Sequence, residues 1–93
     1  MKKYFIASIC RNGIIGGAIV ADEEAITYKV SKGKLTVPIE LRNIKMRYRD
    51  IKDLEAGWLF VFPTVSVGMR NGDVHKFVIF GRKRFIDFVN SMR

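Results

Sequence analysis

Apolar and polar residues alternate with a period of two along most of the chain, the signature of strands half-buried on a sheet. Residues 4–10 form a short, mainly apolar stretch. After Arg11-Asn12 a second apolar run covers residues 14–21, with Gly16 and Gly17 inside it. Glycines there imply a bulge or a close backbone approach. Asp22-Glu23-Glu24 turns the chain into Ile26, Tyr28 and Val30, which alternate with Thr27 and Lys29. A turn at Ser31-Lys32-Gly33-Lys34 leads to a short strand, Leu35-Thr36-Val37, stopped by Pro38. The sharpest alternation follows: Ile44, Met46 and Tyr48 on one face, Lys45, Arg47 and Arg49 on the other. Ile51 and Leu54 mark a short element before Ala56-Gly57. Residues 58–62, Trp-Leu-Phe-Val-Phe, then read as one strand ending at Pro63. Val65, Val67 and Met69 lead to Asn71-Gly72, a pair that tolerates the positive φ of a two-residue type I′ hairpin, and residues 74–80 return.

The period changes once. Phe85, Phe88, Val89 and Met92 fall at i, i+3, i+4 and i+7, which predicts a helix over residues 82–92 with that face buried. Arg82-Lys83-Arg84 places three cations at its N-terminus, the end of the helix dipole that prefers anions.

Ninety-three residues make one domain, residues 1–93, and 48% hydrophobic with 28% charged residues excludes disorder, collagen and disulfide scaffolds. Met1-Lys2-Lys3 before an apolar stretch resembles a signal n-region. Arg11-Asn12 cuts that stretch short and Ser8 lies within it, so residues 1–11 are read as an extra strand or a flexible arm. Cys10 is the single cysteine, so no internal disulfide forms and a reducing cytoplasm fits. Seventeen Lys and Arg against nine Asp and Glu give a net charge of +8, a field that attracts polyanions.

About seven strands followed by one amphipathic helix predict a mainly β fold with one C-terminal α-helix: two bent antiparallel sheets forming a barrel capped by the helix. The order resembles the pleckstrin-homology-like superfold, in particular its small GRAM-like and bacterial members. The matching stretches are Gly16-Gly17-Ala18-Ile19-Val20-Ala21-Asp22, Tyr48-Arg49-Asp50-Ile51 and Met69-Arg70-Asn71-Gly72-Asp73. Phe77-Val78-Ile79-Phe80 and Arg84-Phe85-Ile86-Asp87-Phe88 complete the set, and the resemblance spans residues 12–93. It implies a binding module with no catalytic centre.

Candidate chemistry is sparse. His75 is the single histidine and no metal-ligand spacing surrounds it, so neither a metal nor a cofactor is expected. Cys10 lacks any base but His75, and no catalytic residue is assigned. Residues 81–84, Gly-Arg-Lys-Arg, lack the upstream glycine and Ser/Thr of a phosphate loop. Candidates for an anion or lipid site are Lys45, Arg47, Arg49, Arg82, Lys83 and Arg84. The Lys45-x-Arg47-x-Arg49 pattern resembles the basic motif of phosphoinositide-binding pleckstrin-homology domains. That motif lies on the first hairpin, however, and the corresponding place here, after Asp22, is acidic. Candidates for a protein interface are Trp58, Phe60 and Phe62, because the stretch they belong to is apolar on both faces.

The expected function is that of a non-catalytic, cytoplasmic binding module acting through protein interaction or self-association, with a homodimer favoured. Peripheral binding to an anionic membrane through the basic face is the first alternative. Nucleic-acid binding ranks last, because Tyr48 points away from the basic stripe and leaves no stacking aromatic there. No small-molecule substrate is expected.

Overall fold

The computed structural model describes residues 2–10, 13–30 and 43–93. The expected turn and short strand around Leu35-Thr36-Val37 lie outside the described residues. Seven strands are present among the described residues: β1 (Lys3–Cys10), β2 (Ile14–Ala21), β3 (Ala25–Val30), β4 (Asn43–Arg47), β5 (Ile51–Leu59), β6 (Phe62–Met69) and β7 (Val74–Ile79). Among the described residues a 3-10 turn, Tyr48–Asp50, links β4 to β5, and one helix, α1 (Arg82–Met92), follows β7.

The strands form one curled antiparallel sheet in the order β4-β3-β2-β1-β7-β6-β5, not the two sheets expected from the sequence. The reason is β1. It pairs with β2 along its whole length, from Lys3 with Ala21 to Cys10 with Ile14. On its other edge Ala7, Ser8 and Ile9 pair with Ile79, Val78 and Phe77, which joins the two halves. Residues 3–10 thus take the strand alternative of the two expected, and that strand is the middle one of the sheet. The first hairpin accordingly lies between Cys10 and Ile14, and the acidic turn after Asp22 is the second.

The concave face is the core. Phe5, Ala7 and Ile9 of β1 face inward with Ile19, Ala21, Ile26, Tyr28 and Met46 from one half of the sheet and Ile51, Val65, Val67, Phe77 and Ile79 from the other. The helix lies over this concavity. Phe85 and Val89 are fully buried, and the Phe85 ring meets Phe5 edge-on at 5.1 Å. Gly17 shows why the apolar β2 run carries a glycine: a Cβ there would sit 2.3 Å from the Lys29 carbonyl oxygen and 2.9 Å from the Tyr28 ring. The close approach expected for this run is present, and the pairing of β2 with both neighbours runs through Gly17 without a bulge.

Two local expectations are corrected. The apolar stretch 58–62 is not a strand. Trp58 and Leu59 end β5, Phe60 and Val61 form a two-residue turn, and Phe62 begins β6, with Leu59 paired to Phe62 and Trp58 to Pro63. An apolar sequence carries no period at a turn, so strand and hairpin tip look alike in it. Pro63 fits inside β6 because β7 pairs only from Thr64 onward, so the missing N–H costs no ladder bond on that side. The Asn71-Gly72 hairpin forms, but with three loop residues. Gly72 N–H donates to Met69 O (3.0 Å), Met69 N–H donates to Asp73 O (2.8 Å), and Gly72 alone takes a positive φ, of 100°. Asn71 instead closes the loop locally, its Oδ1 accepting from Asp73 N–H at 2.9 Å.

The helix bounds agree with the periodicity, but its apolar face is graded: Phe85 and Val89 are buried, Phe88 and Met92 half-buried. Phe85→Ala is therefore expected to cost about 3–5 kcal/mol, as truncation of a core aromatic does. Phe88→Ala, whose ring is partly in water already, should cost ~1–2 kcal/mol. Chemical denaturation of the two variants checks the order, and equal losses would contradict this placement.

Candidate functional site

The basic stripe is real but smaller than its sequence pattern. Lys45 and Arg47 project from the convex face of β4 while Met46 and Tyr48 are buried and Ile44 half-buried. Arg49 is exposed but leaves the strand, because the 3-10 turn begins at Tyr48. Glu24, in the β2–β3 turn, answers both strand cations: its Oε1 lies 3.8 Å from Lys45 Nζ and 3.4 Å from Arg47 Nε. That turn is built by Asp22, whose Oδ1 accepts from the N–H groups of Glu24 (2.8 Å) and Ala25 (2.9 Å). These two bonds hold the Asp22 carboxyl below the usual aspartate range. Tyr48 ties the stripe to the same turn, donating its hydroxyl to Asp22 O at 2.6 Å. Glu23, Glu24, Arg47, Tyr48, Arg49 and Met92 line a cleft of about 340 Å³ there, so the stripe borders mixed charge.

The three cations at the helix start are engaged within the chain. Arg82 stacks on the Trp58 ring at 4.7 Å and donates from Nη1 to the carbonyl oxygen of Gly57. It thereby clamps the helix to the β5–β6 hairpin. Arg84 lies over the Phe5 ring at 4.5 Å. Lys83 pairs with Asp87 one helical turn on, at 3.0 Å, with its side chain 91% exposed. Gly81 precedes them with a positive φ of 75°, a backbone state suited to glycine.

The aromatic candidates are placed very differently. Trp58, Phe60 and Phe62 all lie at the β5–β6 hairpin, and all are exposed. Phe60 is 89% exposed and has a φ of 56°, the one positive φ at a non-glycine position among the described residues. Phe60 leads a two-residue turn, where glycine is the usual residue. A bulky residue in that region costs of order 1–3 kcal/mol. An aromatic side chain is thus held in water, on strained backbone, at the most prominent point of the hairpin.

Sequence reasoning missed the surface behind this tip. On the convex face of the sheet, Tyr4 and Ile6 of β1, Ile14 of β2, Phe62 of β6 and Phe80 just after β7 are all large, apolar and exposed. Strand periodicity put one residue set inside and its complement outside, and it assumed that the outside was polar. The alternation of Tyr4 and Ile6 with Phe5 and Ala7 shows that both faces of β1 are apolar, a signal present in the sequence. Ser8, Ile14, Phe62, Val78 and Phe80 enclose a shallow cleft of about 140 Å³ on this face.

His75 is half-buried on the concave side of β7, in register with Phe77 and Ile79, and Cys10 is half-buried at the end of β1 on the convex side with Ser8. The sheet itself separates the two. Among the described residues no group of three His, Cys, Asp or Glu side chains is placed to hold a metal, and no helix is long and apolar enough to cross a membrane.

No family model matches this sequence, and no curated protein matches it either. In three dimensions the chain is similar to the C-terminal domain of an unknown protein from Leishmania infantum. The match has a TM-score of 0.79 at 12% identity and covers 97% of this chain and 80% of that one. At that identity the likeness concerns the fold.

Burial and the nearby Asp22 and Glu23 charges push the Tyr48 hydroxyl up to about 12 from its ordinary value of 10.0. A pKa raised by folding means that the folded state favours the neutral phenol. The contribution of Tyr48 to stability is then complete below pH 10 and is lost as pH rises from there through about 12. Tyr28, also raised by burial, acts with the same sign. The expected outcome is a fall in denaturation midpoint above pH 10 that is shallower in Tyr48→Phe. Phenolate absorbance of the native protein should show Tyr28 and Tyr48 titrating together with unfolding.

Proposed function

We propose that this protein is a small, non-catalytic binding module of the pleckstrin-homology-like type that works by pairing with a second copy of itself. The PH-like reading is supported by seven antiparallel strands that curl round a core and end in one helix over the concave side. The absence of catalysis is supported by the placement of Cys10 and His75 on opposite faces of the sheet.

One observation carries the self-association. The molecule has a protruding aromatic knob, Phe60, and on its convex face an apolar cleft of about 140 Å³ lined by Ser8, Ile14, Phe62, Val78 and Phe80. A cavity of ~150 Å³ takes one benzene ring, so knob and cleft are matched in size and chemistry. A knob of one copy seated in the cleft of another, and the reverse contact by symmetry, is an isologous pair. Strain at Phe60 supports the same reading, since an aromatic at a glycine position weakens the isolated fold and is retained for something outside it.

Peripheral attachment to an anionic membrane is the second reading. Its support is Arg82, which lies on the Trp58 ring at the helix start with Lys83 and Arg84 next to it in the chain, so that the apolar tip has cationic charge beside it. Salt separates the two. Charge-driven membrane binding is screened by salt, whereas self-association of a +8 protein through apolar surface is strengthened by it. Lys45, Arg47 and Arg49 form a weaker membrane face, since Glu24 neutralises part of it.

Sedimentation at two concentrations and two salt levels, with and without anionic vesicles, tests this. The parent chain should dimerise, more tightly at high salt. Phe60→Gly should shift the profile to monomer while leaving the fold as stable or up to ~1 kcal/mol more stable, because glycine relieves the positive φ. A parent that stays monomeric at ~100 μM ends the self-association reading, because a contact that weak is no specific interface. Vesicle binding lost at high salt would then favour the membrane.

A further inference from the structure

The β5–β6 hairpin has a second end. Its strands run eight and nine residues away from the aromatic tip, roughly 25–30 Å at strand rise. There the start of β5, the turn after β6, the 3-10 turn and the last turn of α1 converge. They enclose a cleft of about 460 Å³ lined by Tyr48, Arg49, Ile51, Arg70, Asn90 and Arg93. Three of the six are arginines and none has a carboxylate side chain.

Two of the guanidinium groups are fixed in place by neutral acceptors. Arg70 donates from Nε to Arg49 O at 2.9 Å, and its own N–H donates to Asp50 O at 2.8 Å. Arg93 donates from Nη1 to Lys52 O at 2.8 Å and from Nε to Asn90 Oδ1 at 3.0 Å. These bonds use part of each five-donor fork and leave both terminal nitrogens of Arg70 and one of Arg93. With Oδ1 turned to Arg93, the Asn90 amide keeps its own donors. Among the described residues none of the three arginines has an ion-pair partner within 4.0 Å. Lys45, Arg47 and Lys83, by contrast, each reach a carboxylate, and Arg82 and Arg84 each lie on an aromatic ring.

Neutral carbonyls position these cations without cancelling their charge, so the cleft has donors already oriented and a like-charge repulsion that a bound anion relieves. Planar guanidinium forks suit a multi-oxygen anion better than a point charge does. Three of them with an amide match a doubly charged group with three free oxygens better than they match a single carboxylate. We infer that this cleft binds a phosphate monoester, held by Arg49, Arg70 and Arg93 with the Asn90 amide. The site is independent of the hairpin tip and of self-association.

The test uses phenyl phosphate as a soluble monoester and phosphatidylcholine vesicles doped with phosphatidic acid as the same group on a lipid. Both are run in chloride at constant ionic strength with the full chain. Calorimetry and the arginine Nε resonances are the readouts. Phenyl phosphate should bind saturably, one per chain, with a Kd at or below ~1 mM. Arg49→Glu, whose side chain bonds nothing in the fold, should weaken binding at least tenfold. Arg70→Lys keeps the charge but loses the fork and should weaken it several-fold. Lys29→Glu, the same charge change at an exposed position of β3, should leave it unaltered. Phenyl phosphate binding without vesicle binding assigns the ligand to a soluble monoester, and vesicle binding alone to a headgroup; dependence on Arg49 supports the site in either case. Binding of neither probe, or equal weakening by Arg49→Glu and Lys29→Glu, overturns it, since only net charge would then be at work.

Discussion

The contact on which the rest of the molecule depends is the short ladder between β1 and β7. Ala7, Ser8 and Ile9 meet Ile79, Val78 and Phe77 there. Without it the chain would be a four-stranded meander and a three-stranded meander, each with one apolar face open to water. With it the two meanders become one curled sheet whose concave side is a single core, and Phe85 and Val89 of the helix close over that core. The pair joins the first strand of the chain to the last, so it carries most of the loop-closure entropy of the fold. It also fixes where both surface features sit, since the β5–β6 hairpin is held to the sheet through β7.

That hairpin organises the candidate functional surfaces. One end is an aromatic tip in strained backbone, buttressed by Arg82 against Trp58 and Gly57. The other is a cleft of oriented arginines. A rigid two-stranded element separates apolar recognition from ionic recognition by its own length, so either end can be altered without touching the other. Glu24 and Asp22 set the third surface: they hold the β4 cations close to the sheet and reduce the field that the sequence pattern alone suggests.

Legibility of the sequence followed the range of the interactions. The helix was legible to its end residues, because Phe85, Phe88, Val89 and Met92 carry its period locally. Burial of Met46 and Tyr48 opposite Lys45 and Arg47 was legible for the same reason. The single sheet was not, because pairing of Ile9 with Phe77 joins positions far apart in the chain, and no local period reports it. The stretch 58–62 misled because residues that are all apolar give no phase, so the turn at Phe60-Val61 was invisible. Arg70 and Arg93 were overlooked for a related reason: each is an ordinary isolated cation in sequence, and only the convergence of two turns and a helix end puts them beside Arg49. The candidate residues Trp58, Phe60 and Phe62 were nonetheless identified, from the excess of apolar surface that one sheet face cannot bury.

Among the described residues β4 and β5 are the outer strands of the sheet. An open strand edge is a template on which further chains can add without limit. Here β5 carries Lys52, Asp53 and Glu55, all exposed, with an irregularity in its pairing between Ile51 and Asp53, while β4 carries Lys45 and Arg47. Charges of both signs and a broken register make each edge a poor template. The chain can therefore display an apolar convex face and a bare phenylalanine while its edges resist open-ended strand addition.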